Sequence, residues 1–265
     1  MSGHEVKIPS SGRTSVGYLA EPETKGPHPA VLVVHEIFGL DDHHRDVARR
    51  FAAQGYVALA PNLFTGPIGD TMTPANVQQA MRAFAEAPPD LRSNPEKFRE
   101  FAQSQPPERR PVLEAFAHVT NPVTQDGFAR DLVACREYLQ ALPTVNPQRI
   151  GAVGFCFGGA MVGRYATVDP QLTAGVIFYG QNPPLDRVPQ IRAQLLGQYA
   201  GEDPGITQTV PELAEAMTRA GRSFRYQVYP GARHAFFNDA RPNYHAESAT
   251  LAWGRVLEFF GSTLR

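Results

Sequence analysis

Short, nearly continuous apolar runs alternate along this chain with stretches whose apolar residues recur every three or four positions. "HPAVLVVHEIFG" (28–39) is such a run, rich in β-branched residues, and predicts a strand buried on both faces. "LDDHHRDVARRFAAQG" (40–55) follows at helical period. Asp41 or Asp42 can cap it, Val47 and Phe51 lie on its apolar stripe, and Gly55 ends it. His43 and His44, at its start, read as solvated. "YVALAPNLF" (56–64) is the next strand, and "TSVGYLAEP" (14–22), with its weak alternation, reads as an edge strand. The rhythm resumes with a helix in "DGFARDLVACREYLQAL" (126–142), where Leu132, Cys135 and Leu139 share a face. A strand in "RIGAVGF" and a helix in "GGAMVGRYA" come next, then strands in "TAGVIFYG" and "AQLLGQYAGED". A helix in "VPELAEAMTRAG", a strand in "SFRYQVYPG" and a long helix in "YHAESATLAWGRVLEFFGSTL" complete the series.

Strands alternating with helices predict an α/β fold, with a mostly parallel central sheet flanked by helices on both faces. Ligands of such sheets lie beyond the carboxyl ends of the strands, so functional residues belong just after strands. Residues 66–125 break the rhythm. The segment carries "APPDLRSNP" and "SQPPERRP" and is too long for an ordinary connection. It reads as a Pro-rich, cap-like insertion within a single domain spanning 1–265, with short helices near 74–86 and 95–103.

Composition narrows the function. A chain of 265 residues with 42% hydrophobic content can bury one large core. Its formal net charge of −1 and the lack of any basic stripe argue against nucleic acid or an anionic lipid surface as a partner. The longest apolar runs are too short to span a bilayer, and "MSGHEVKIPSSGR" lacks the apolar core of a signal peptide, so a cytoplasmic protein is expected. The two cysteines, Cys135 and Cys156, then predict neither a structural disulfide nor a zinc site. Whether the chain is a monomer or a homo-oligomer is open at this stage.

The candidate chemistry centres on "GFCFGG" (154–159). Gly154-Phe155-Cys156-Phe157-Gly158 has the form glycine-x-nucleophile-x-glycine, between a predicted strand and a predicted helix. So sharp a turn leaves no room for side chains at its outer positions, and it puts the thiol at a helix N-terminus, where the dipole favours a thiolate. A sulfur nucleophile needs a base and an orienting acid. "AGED" supplies Glu202 and Asp203 after one strand, and "PGARHAFF" supplies His234 after the next. Nucleophile, acid, histidine is the chain order of α/β-hydrolases. Asp203, further past the strand end and followed by Pro204, is preferred as the acid. His28, His118 and His245 have no evident partner.

Glu36, in "HEIFG", closes a buried strand, where an unpaired carboxylate is costly. It either pairs with an arginine such as Arg45 or faces the nucleophile. In the second case the N–H of Ile37 lies where this fold keeps one oxyanion donor, the other being the N–H of Phe157.

"VVHEIFGLDDHHRDVARRFAAQGYVALAPNLF", "GAVGFCFGG", "AGEDP" and "YPGARHAFF" together resemble the dienelactone hydrolase (carboxymethylenebutenolidase) family of α/β-hydrolases over most of 5–65 and 126–262. The resemblance implies a Cys156–His234–Asp203 triad and a Glu36 that meets the resting thiol. It also implies oxyanion donors at Ile37 and Phe157, and an acyl-enzyme route to hydrolysis with no metal or organic cofactor. The expected substrate is a small ester or lactone. A broader carboxylesterase or thioesterase, and a non-catalytic ligand-binding or thiol redox-sensing protein, are the alternatives. The sequence departs from the family where well-known members place an arginine for the substrate carboxylate: Asn238 stands there, with Arg241 near but not aligned.

Overall fold

A computed structural model describes residues 2–10, 13–88, 91 and 94–265. Its centre is an eight-stranded sheet in the order β1-β2-β4-β3-β5-β6-β7-β8. The strands are β1 (Gly3–Ser10), β2 (Arg13–Ala20), β3 (His28–Val34), β4 (Val57–Pro61), β5 (Val145–Phe155), β6 (Ala174–Phe178), β7 (Gln194–Ala200) and β8 (Phe224–Tyr229). β1 and β2 join antiparallel, as do β2 and β4, and every pairing from β4 to β8 is parallel.

Side-chain alternation along β3 divides the core. Ala30, Leu32 and Val34 face one apolar layer, while Val31 and Val33 face the other. The first layer is covered by α6 (Pro122–Gln140), α7 (Phe157–Ala166) and α9 (Val210–Arg219), the second by α1 (Asp42–Ala53) and α10 (Ala246–Thr263). A near-continuous apolar strand is what two-sided burial requires, and all five β4 residues are buried.

Between β4 and α6 lie α2 (Pro67–Thr71), α3 (Pro74–Glu86), α4 (Pro95–Gln103) and α5 (Arg110–Thr120). They share the first apolar layer through Val77, Ala80, Phe98, Ala102, Leu113 and Phe116. Phe84 sits between Phe98 and Phe116, with ring centroids 5.0 and 5.7 Å away. A short four-residue helix, α8 (Pro204–Thr207), follows β7.

Three sequence expectations are corrected. β2 is not an edge strand, because β1 pairs along its whole length; the weak Val6/Ile8 alternation and Pro9 hid that outer strand. α6 begins at Pro122 rather than near Asp126, since Asn121 caps it by accepting from the Val123 N–H at 2.9 Å. His43 and His44 are buried, not solvated. They continue the inward stripe of α1 that Val47, Ala48 and Phe51 define one turn later.

Candidate active site

The parallel strands deliver the candidate residues to one rim of the sheet. Glu36 and Ile37 follow β3, Cys156 follows β5, Tyr179 follows β6, Asp203 follows β7 and His234 follows β8.

Cys156 occupies the elbow between β5 and α7 with φ 54° and ψ −115°. A non-glycine residue at positive φ costs on the order of 1–3 kcal/mol and persists only where its surroundings enforce it. Here its N–H donates to the Phe178 carbonyl at 3.0 Å, and its own carbonyl accepts from Ala160 at 3.1 Å. The flanking glycines have steric reasons. A Cβ on Gly154 would run into the Gly158 carbonyl, and one on Gly158 would run into the Val34 and His35 carbonyls. The first turn of α7 therefore abuts the end of β3, which brings the elbow beside Glu36 and Ile37.

His234 Nδ1 and Asp203 Oδ2 are 2.6 Å apart. An ionised carboxylate only accepts, so Nδ1 donates to Asp203, and Nε2 is the nitrogen that remains for the Cys156 side chain. The burial of the imidazole opposes its charging, but the adjoining Cys156 sulfur and the Asp203 carboxylate outweigh that, and its pKa is held well above the ordinary value. The loop bearing it is fixed by Asn243 Nδ2, which donates to the His234 carbonyl at 3.0 Å, and by the Glu202 N–H, which donates to the Ala232 carbonyl at 2.9 Å. Of the two acids after β7, Asp203 is thus the one on the imidazole.

Glu36 is buried, and Arg45 is not its partner: that arginine lies on Asp42 and Glu5. The Glu36 carboxylate accepts from Asn238 Nδ2 at 2.9 Å and, more weakly, from the Tyr179 hydroxyl at 3.4 Å. Its described hydrogen bonds go to these two groups and not to the thiol. Asn238, which stands where well-known members of the resembled family carry an arginine, ties Glu36 to the loop of His234. Tyr179 is also at positive φ, 38°, and its ring centroid is 5.0 Å from that of His234. Sequence reasoning missed Tyr179; its only available signal was its place just past a strand end.

The backbone of Glu36 is gripped by two imidazoles. His44 Nε2 accepts from the Glu36 N–H at 3.2 Å, while His44 Nδ1 donates to Asp41 Oδ1 at 2.5 Å. His35 Nδ1 donates to the Glu36 carbonyl at 2.6 Å, and its Nε2 accepts from the Leu63 N–H at 3.0 Å. Each ring needs one acceptor and one donor nitrogen, so both are neutral here. The next peptide carries the Ile37 N–H. Among the described residues, neither that N–H nor the Phe157 N–H has an intramolecular acceptor, and both residues line the same cavity.

His35 gives a prediction for stability. Burial, helped by the nearby His44, pushes its imidazole down to about 4 against the pull of the Glu36 carbonyl. Unfolded, the ring takes up a proton near pH 6.5, which the folded protein refuses until about pH 4. The stabilisation is therefore complete above pH 6.5 and is lost as pH falls from 6.5 to 4, by about 3 kcal/mol. Urea unfolding at pH 7 and pH 4.5 should show that loss, and His35→Gln should flatten the dependence.

A cavity of about 240 Å³ opens over these groups. Cys156, His234, Tyr179, Ile37 and Phe157 form its floor, while Met81, Phe116 and Thr120 come from the segment between β4 and α6 and Gln125 from the first turn of α6. A roomier hollow of about 570 Å³, near Val16, Phe38 and Asp70, is lined by neither a cysteine nor a histidine. No group of three or more histidine, cysteine, aspartate or glutamate side chains suited to a metal ion occurs among the described residues, and none of their helices is long and apolar enough to cross a membrane.

A mostly parallel sheet with a glycine-flanked elbow after β5, an acid after β7 and a histidine after β8 has the α/β-hydrolase architecture. The chain belongs to the dienelactone hydrolase family, whose model matches residues 16–264, and is a carboxylic ester hydrolase of that kind. A relative from Saccharolobus solfataricus that carries the provisional name carboxymethylenebutenolidase is 36% identical over 256 residues, covering 96% of each chain. A relative of the same provisional name from Escherichia coli K12 is 33% identical over 267 residues, covering 96% of this chain and 85% of its own. A crystal structure from Klebsiella pneumoniae, provisionally titled a dienelactone hydrolase, superimposes with a TM-score of 0.74 at 31% identity and 98% coverage of both chains.

Proposed function

We propose that this hydrolase cleaves small esters or lactones through a Cys156–His234–Asp203 triad and an acyl-enzyme. The observation that carries the reading is the 2.6 Å contact of His234 with Asp203 on the wall of the cavity that also holds the elbow cysteine. His234 Nε2 takes the thiol proton as Sγ bonds to the substrate carbonyl carbon. The oxygen that becomes negative is met by the N–H groups of Ile37 and Phe157. Collapse re-forms the carbonyl and breaks the bond from its carbon to the ester oxygen, and the leaving alkoxide collects the proton from His234, leaving a thioester on Cys156. A water molecule gives His234 a proton and attacks the thioester. The acid departs, and the sulfur recovers the proton. Asp203 stays ionised throughout and orients the imidazole.

The Cys156 sulfur and the Asp203 carboxylate hold the His234 pKa above its ordinary value, so a proton passed from the thiol to the imidazole stays there while the sulfur attacks. Glu36 acts behind Tyr179, and the segment 66–125 serves as a cap that forms one wall of the acyl pocket. Asp203→Asn keeps the shape but disturbs the tautomer. It should lower kcat by on the order of 10²–10⁴-fold with little change in melting temperature. Steady-state hydrolysis of p-nitrophenyl acetate checks this, and an unimpaired Asp203→Asn enzyme would remove Asp203 from the triad. The same assay across lactones, p-nitrophenyl esters and acyl thioesters separates a small-ester hydrolase from a thioesterase.

A further inference from the structure

We infer that the acyl pocket selects uncharged acyl groups and rejects those that carry a carboxylate. The inference rests on the esterase reading above and concerns which substrates that same site accepts. Two sets of observations support it, the chemistry of the walls and the sign of the local field.

Ile37, Met81, Phe116, Phe157, Ala160 and Ile206 make the walls chiefly apolar. Their polar interruptions, apart from the groups already assigned, are Thr120, Gln125 and Gln181, all uncharged. The Thr120 hydroxyl is already donated to the Phe116 carbonyl at 2.8 Å. Nearby arginines are engaged elsewhere. Arg241 lies over the Phe38 ring, 4.0 Å from its centroid, and Arg164 and Arg187 both bind Asp126, at 2.5 and 2.9 Å. Among the described residues, no lysine or arginine lines the cavity. A carboxylate held there would lose water without gaining a lysine or arginine partner, and the one imidazole in the lining is already engaged by Asp203 and the sulfur, so its burial costs several kcal/mol.

The field points the same way. Glu36 and Asp203 supply carboxylates behind the cavity floor, and the sulfur becomes negative on activation. Both titratable groups that share the floor with the sulfur register this. The Tyr179 hydroxyl is held well above its ordinary value, first by burial and then by Glu36 and Cys156; His234 is held up by Cys156 and Asp203 despite its burial. A second anion faces repulsion from these two carboxylates and from the activated sulfur.

The test compares p-nitrophenyl pentanoate with the mono-p-nitrophenyl ester of glutaric acid, which replaces a terminal methyl by a carboxylate at equal acyl length. The wild-type kcat/KM should favour the pentanoate by at least about tenfold. Raising the salt concentration should narrow the ratio by screening the repulsion. Met81→Arg and, on the exposed rim, Gln181→Lys should narrow it further by supplying a counter-charge. A wild-type ratio below tenfold, or one that neither salt nor either cation moves, overturns the inference and leaves the esterase reading standing. Failure of the wild type to hydrolyse either ester overturns the esterase reading itself, and this inference with it.

Discussion

Cys156→Ala is expected to reduce hydrolysis of p-nitrophenyl acetate to near the uncatalysed rate, a loss of at least about 10⁴-fold in kcat. The elbow sits over the cavity, and alanine keeps the Cβ that the strained turn already accommodates, so the melting temperature should change little. His234→Ala should cost about as much as Cys156→Ala, because an imidazole without its sulfur, or a sulfur without its base, completes no proton transfer. The double variant should be no worse than either single one, since members of one catalytic unit do not contribute additively. Cys135→Ala is the control. That thiol is buried inside α6, where burial and the nearby Asp131 raise its pKa, so its removal should leave kcat intact. If Cys156→Ala retained a tenth of wild-type activity, the nucleophile would have to be sought elsewhere.

Gly158→Ala is expected to be among the most damaging single methyls in the protein. Its Cβ would overlap the carbonyls of Val34 and His35, which are main-chain atoms at the end of a central strand and cannot rotate away. Relief requires α7 to lift off β3, which separates the Phe157 N–H from the Ile37 N–H and opens a well-packed core. Overpacking of such a site costs about 1–3 kcal/mol or more, so the melting temperature should fall by several degrees. Whatever fraction stays folded should lose kcat as well, because the two N–H groups no longer converge. Gly205→Ala, where nothing lies within 4 Å of an added Cβ, is the matched comparison and should fold normally. Thermal unfolding of the two variants side by side checks the prediction. Equal melting temperatures would show that the elbow is not closely packed against β3.

How much of this was legible beforehand depended on the range of each interaction. The β3–α1–β4 rhythm and the glycine-flanked cysteine are local patterns, and the structure forms those elements at those places. That Asp203 rather than Glu202 meets His234 was readable from how far each lies past the end of β7. His44 was misjudged because its polarity was weighed above its phase. It lies one turn before Val47 and Ala48 on the buried stripe of α1, and its polar atoms are satisfied by Asp41 and the Glu36 N–H. The partners of Glu36 were beyond reach, because Asn238 is 202 residues away and Tyr179 is 143. Strand β1 went unnoticed because an outer strand needs only one buried face, and its inward residues amount to little more than Val6 and Ile8.

The covalent intermediate is the most direct test of Cys156 as the nucleophile. Rapid acid quenching of the enzyme during turnover of p-nitrophenyl acetate, followed by intact-mass and peptide mass spectrometry, should show one added acetyl group on the peptide containing Cys156. It should be labile to hydroxylamine, as a thioester is, and absent from Cys156→Ala. An acetyl group on any other residue, or rapid turnover with Cys156 unmodified at every quench time, would contradict it.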